Sequence, residues 1–206
     1  MWGSETEKKE FGALFPLFYG SREERNYGKG IKSVKKLAAG GYVPAVCQLG
    51  IAYFDHLGVH RNYSEAFRFY MEAALQDYPS AECAVGNFYA MVRPRHEACG
   101  HDPEEAARWW LRASGHGNAG AQCNLANVYL TGLGVDRNPV EAYVWASMAV
   151  HCSSIRFRSA EVYRDQGAEM IIDIDKENAD RRIEVLKKQL PFAWSDHLVY
   201  WTKLYE

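Results

Sequence analysis

Apolar and polar positions alternate with a helical period through the middle of this chain, in two phrases that recur. The first runs "AVCQLGIAYF" from Ala45, "AECAVGNFYA" from Ala81 and "AQCNLANVYL" from Ala121, at offsets of 36 and 40 residues. Each copy has Cys two places on and Tyr eight places on. The four additional residues fall in the loop "MVRPRHEACGH", so loop length absorbs them and the helical phrases keep register. Leu49, Gly50 and Tyr53 correspond to Val85, Gly86 and Tyr89, then to Leu125, Ala126 and Tyr129. Glycine inside a helix costs about 1 kcal/mol relative to alanine. Close approach of a neighbouring helix is the expected compensation.

The second phrase opens as "NYSEA" at Asn62, "DPEEA" at Asp102 and "NPVEA" at Asn138. Asn or Asp as N-cap can accept from the early orphan amides, and Pro103 and Pro139 fit a first turn. Glu65, Glu105 and Glu141 are placed to complete a reciprocal capping box. The helix that follows carries Ala66, Phe69, Tyr70 and Ala73, matched by Ala106, Trp109, Trp110 and Ala113, then by Ala142, Trp145, Ala146 and Ala149. This i, i+3, i+4, i+7 spacing gathers them on one face. Each unit is therefore helix A, loop, helix B, turn. Such a pair cannot bury its apolar stripe alone, whereas stacked copies can, so the pattern predicts an all-α repeat fold.

The expected organisation is an N-terminal segment and partial cap over 1–25, an array over 26–154, and C-terminal capping helices with an aromatic tail over 155–206. The array comprises a partial unit, 26–44, with Gly30, Val34, Leu37 and Ala38 on the packing face, followed by units 45–80, 81–120 and 121–154. The tail "FAWSDHLVYWTKLYE" either folds back on the stack or serves as an anchor segment.

Composition narrows the functional classes. Of 206 residues, 48% are hydrophobic and 14% aromatic, which suits a folded chain, and the formal charge of −2 gives no electrostatic case for nucleic acid. No apolar run is long enough to span a membrane and no leader is visible at the N-terminus. A cytoplasmic location is expected, or a periplasmic one if a leader was removed. Five cysteines cannot all pair within one chain, which favours a reducing compartment.

The pattern A-x₃-L-G-x₂-Y, then a G-x-G-V loop, then a capped E-A-x₂-W resembles the Sel1-like repeat, a relative of the tetratricopeptide repeat, in its bacterial form. "AQCNLANVYLTGLGVDRNPVEAYVWASMAV" carries it best and "AVCQLGIAYFDHLGVHRNYSEAFRFYMEAA" nearly as well, while the middle unit lacks the Gly-x-Gly-Val turn. The resemblance implies an α/α right-handed superhelical solenoid, with "IRFRSAEVYRDQGAEM" and "DKENADRRIEVLKKQL" as closing helices. It implies a non-catalytic adaptor that holds a protein or peptide on its concave face. The alternative is a hydrolase or small-ligand binder acting on cell-wall-related, β-lactam-like substrates in the inter-repeat groove.

By the same resemblance the concave face is lined by helix A residues beside the Leu-Gly-x-x-Tyr stripe. These are Gln48, Ile51 and Asp55, then Ala84, Asn87 and Met91, then Asn124, Asn127 and Thr131. Asn87 and Asn127 hold one place in successive units, and an amide ladder can donate to and accept from an extended peptide; alternatively, these are ordinary solvated helix polar residues. Cys47, Cys83 and Cys123 lie about a repeat apart, too far to bridge, and read as small apolar residues at a packed interface. His96, Cys99, His101 and His116 do not make the paired doublets of a zinc signature, so no metal and no cofactor is expected. No nucleophile motif, phosphate loop or H-E-x-x-H is present, which leaves no catalytic residue to name. Self-association through Trp194, Tyr200 and Trp201 is the remaining partner expectation.

Overall fold

The computed structural model describes residues 2–91, 99–153 and 158–190. His96, the tail and its three aromatic residues lie outside them. Every element among the described residues is helical: α1 Glu5–Gly12, α2 Phe15–Tyr19, α3 Tyr27–Ala39, α4 Val43–Asp55, α5 Tyr63–Ala74, α6 Pro79–Ala90, α7 Pro103–Gly115, α8 Ala119–Thr131, α9 Pro139–Cys152, α10 Arg158–Met170 and α11 Asp173–Gln189. Helices α4, α6 and α8 are the three A helices, and α5, α7 and α9 the three B helices. The chain divides into two compact units, and α6 contributes its start to the first and Gly86–Ala90 to the second.

The N-caps are where the pattern puts them. Asn62, Asp102 and Asn138 each accept, through the side-chain oxygen, the amide of the glutamate three residues on, at 3.0, 2.9 and 3.1 Å. The reciprocal half of the expected box is not formed. Each carboxylate finds a cation instead: Glu65 pairs with Arg68 at 2.8 Å, Glu105 with Arg108 at 2.7 Å, and Glu141 with Arg182 of α11. The N-cap amide is already committed to a backbone carbonyl of helix A, so the glutamate is left to the charged donor, with which it makes the stronger hydrogen bond. The full box is present at Ser4 and Glu7, ahead of α1.

One backbone bond closes every A–B loop. The N-cap amide donates to the carbonyl of the helix A tyrosine: Asn62 to Tyr53 at 3.0 Å, Asp102 to Tyr89 at 2.9 Å, Asn138 to Tyr129 at 2.8 Å. The middle loop is four residues longer and still closes on this bond, which is how the additional residues leave the helices in register. The repeated loop glycines have two reasons to be glycine. Gly58 and Gly134 have φ of 74° and 75°, and a Cβ would lie 2.8 Å from Tyr27 and 2.3 Å from the Pro103 carbonyl.

In the first unit, α1 and α2 pack on α3, and Phe18 of α2 joins Ile31, Val34, Leu37, Tyr42, Ala45, Leu49 and Ala52 in one core. Gly30 admits this arrangement, since a Cβ there would meet the Phe18 ring at 2.7 Å. Gly50 does the same for Tyr70 of α5, also at 2.7 Å. In the second unit the ring opposite Gly86 is Trp110, at 2.6 Å. The close approach inferred from helix glycines is therefore a ring seated on bare backbone. The third repeat carries Ala126 at this place and Ala146 where the other B helices carry Tyr70 and Trp110. Both α10 and α11 pack on α9, where Val144, Met148 and Cys152 meet Ala179 and Ile183, and Ala149 meets Ala160.

Candidate functional site

The side chains proposed to line the partner face come from the A helices, and they fall into two sets. In the first unit, Gln48 is 7% exposed and its amide donates to the Tyr19 hydroxyl at 2.9 Å, while Ile51 and Ala84 are buried. Asp55 is half-buried near the end of α4. Burial raises its carboxyl above the usual range, the Arg61 charge opposes this, and no hydrogen bond or ion pair holds it among the described residues. A partly dehydrated carboxylate that Arg61 influences only at a distance favours a donor or cation brought from outside.

In the second unit, Asn87 is 8% exposed and its side-chain oxygen takes two donors, the Trp110 indole N–H at 3.0 Å and the Asn124 amide at 2.9 Å. Indole nitrogen only donates, so Asn87 must turn its oxygen inward, and Asn124 must then offer its NH₂ to that oxygen. Asn127 is half-buried and its amide makes no hydrogen bond among the described residues. Thr131 is exposed, with its hydroxyl donating to the Asn127 carbonyl at 2.9 Å, and Met91 is half-buried. The structure thus brings Asn87 and Asn124 together, and leaves Asn127 beside them with donor and acceptor both available.

Sequence reasoning missed Tyr19, which holds Gln48, and the role of Trp110 as the group that engages Asn87. A signal for the second was present: a buried indole four places after an invariant helix alanine needs an acceptor, and Asn87 follows Gly86, the residue it packs on.

Several buried thiols and phenols in these units are stabilised in their neutral forms. Burial pushes the Cys47 and Cys123 thiols up, and raises the phenols of Tyr70 and Tyr78. All five cysteines are free thiols. A pocket of about 390 Å³ between α9, α10 and α11 is lined by Tyr143, Ser147, His151, Arg164, Asp180 and Lys187, among others. Tyr143 donates to Asp180 at 2.7 Å there, and burial followed by the Asp180 carboxylate pushes its phenol up to about 12.

The Sel1 repeat family matches residues 43–78, 79–118 and 119–153, more than half of the chain. The chain belongs to the Sel1 repeat family, whose members are typically interaction scaffolds built from helical pairs. Two solved structures share the fold. A protective antigen of uropathogenic Escherichia coli with an SLR fold superposes with a TM-score of 0.75 at 22% identity, covering 89% of this chain and 38% of that one. A Sel1 repeat protein from Oxalobacter formigenes superposes with a TM-score of 0.61 at 19% identity, over 88% and 87%. Among curated proteins, chitin synthase regulatory factor 3 of Schizosaccharomyces pombe is 32% identical over 117 residues, 54% of this chain and 12% of that protein. The chain thus spans about an eighth of that relative's length. No helix among the described residues is long and apolar enough to cross a membrane.

Proposed function

We propose that this protein is a non-catalytic adaptor that holds a protein or peptide partner against its A helices, through Asn124, Asn127 and Thr131 of α8 in the second unit. The observation that carries the reading is the Asn127 amide, half-buried beside the Asn87–Asn124 pair and without a hydrogen bond among the described residues. An amide of this kind can donate to and accept from one extended backbone, which gives affinity with small demand on side-chain sequence. Membership of a family of interaction scaffolds supports the same reading. The hydrolase reading lacks equivalent support, since the buried thiols and phenols are held protonated rather than activated.

A photo-crosslinking residue placed at Thr131, compared with one at the exposed Leu111 on α7, tests the assignment in the native extract. A discrete adduct from Thr131 that is absent from Leu111 is the expected result. Equal labelling from both would remove the A helices as the partner face.

A further inference from the structure

The outer face of α3 has a charge pattern unlike that of the later B helices. Counting from the N-cap, Lys29, Lys32 and Lys36 stand where α5 has Glu65, Arg68 and Glu72, and where α7 has Glu105, Arg108 and Arg112. In α5 these places neutralise one another, with Arg68 bonded to Glu65 at 2.8 Å and to Glu72 at 3.4 Å. In α7 Arg108 is held by Glu105 at 2.7 Å. On α3 all three are ammonium groups, all exposed, with no ion pair among the described residues. Arg22, Arg25 and Lys35 are also exposed, with no ion pair among the described residues, although Glu23 and Glu24 stand between the two arginines and offset their charge.

Lys29 is the informative position. It occupies the third helical place behind the Asn26 cap, its own amide bonded to Asn26 at 3.0 Å, where the other three capped B helices have glutamate. The positive end of the helix dipole favours an anion there and opposes a cation. A lysine at this place works against local stability, so helix formation does not account for it. The three lysines fall within about 60° of arc and span about 10 Å along the axis, opposite the buried Gly30, Ile31, Val34 and Leu37.

We propose that this stripe is a second docking surface, separate from the A-helix face, and that it takes an acidic helical segment of a protein partner. Carboxylates at i, i+3 and i+7 of such a segment match the stripe in spacing and sign. The apolar side of α3 is already buried and offers a bilayer nothing to insert, and a chain of net charge −2 is a poor polyanion binder overall.

The test uses the full chain and a fluorescein-labelled, end-blocked alanine-based helical peptide with Glu at i, i+3 and i+7, followed by anisotropy at low and physiological salt. Its lysine counterpart and phosphatidylserine-containing vesicles are the comparison ligands. Wild type is expected to bind the glutamate peptide in a salt-sensitive manner. The K29E/K32E/K36E variant is expected to bind it about tenfold more weakly and to gain the lysine peptide. A control reversal of three exposed lysines elsewhere, K9E/K176E/K188E, is expected to stay near wild type. Lys29→Glu alone is expected to raise the thermal midpoint, which separates lost binding from lost folding. Equal loss in the two triple variants, no glutamate-peptide binding by wild type, or tighter association with vesicles would each overturn the proposal.

Discussion

Asn87 on α6 and Asn127 on α8 hold one place in successive repeats of the second unit, yet one is engaged in the interior and the other is available. The difference originates on the B helices. At the ring position α7 carries Trp110, whose buried N–H requires an acceptor, and Asn87 supplies it at 3.0 Å. At that position α9 carries Ala146, which makes no such demand. The same exchange explains the helix A backbone, since Gly86 lies under the indole and Ala126 has a methyl. One ring replaced by one methyl group both permits a Cβ and releases an amide. Equivalent repeat positions are therefore equivalent in backbone only; the opposing side chain decides whether a polar group fixes the fold or meets a partner.

The strongest way to break this contrast is to remove the ring. Trp110→Ala should lower stability by about 3–5 kcal/mol, read by denaturant unfolding, because it empties a packed site. Gly86→Ala should cost about 1–3 kcal/mol from overpacking against the indole. Made together, the two should cost less than the sum, since the pair then matches the third repeat. Next, Asn87→Ala should cost about 1–3 kcal/mol by leaving the indole N–H unpaired, whereas Asn127→Ala should stay within about 0.5 kcal/mol. A double variant of both asparagines would therefore mix a folding defect with a binding defect.

A smaller contrast concerns the end of helix A, where α8 closes on Gly132 at φ 78° and α4 on His56 at φ 62°. His56→Gly should stabilise the protein by about 0.5–1 kcal/mol, the relief of a side chain in the left-handed region less the added chain entropy. The smallest effect is pH-linked. The Asp55 carboxyl is raised on folding, so the folded state holds the proton more tightly, and its stabilising contribution is present below the unfolded carboxylate value and lost as pH rises through the folded one. Asp55→Asn should accordingly raise the thermal midpoint near neutral pH, with the gain vanishing in acid.

Much of the fold was legible because each repeat writes its own boundary chemistry. Asn62, Asp102 and Asn138 marked helix starts, and the helix A glycines marked close approach of a neighbouring helix, though not which ring would sit on each. The glutamate arms of the capping boxes were misread, since Arg68 and Arg108 are local in sequence but Arg182 lies 41 residues from Glu141, and competition for a carboxylate cannot be ranked from spacing alone. The candidate face was legible as a register of positions, not as a state of each side chain. Gln48 and Asn87 look as polar as Asn127 in the sequence; only the placement of Tyr19 and Trp110 shows that their hydrogen bonds are made internally. The α3 stripe had a sequence signal, lysine in place of the N-terminal glutamate, which gains meaning once Lys32 and Lys36 are seen to have no ion pair among the described residues.

The most direct test is to measure, on one preparation, the partner affinity and thermal midpoint of the Asn127→Ala protein beside wild type. A clear loss of affinity with the midpoint unchanged is the expected result. Undiminished affinity in a protein of normal stability would contradict the assignment of the A-helix face as the place where the partner is held.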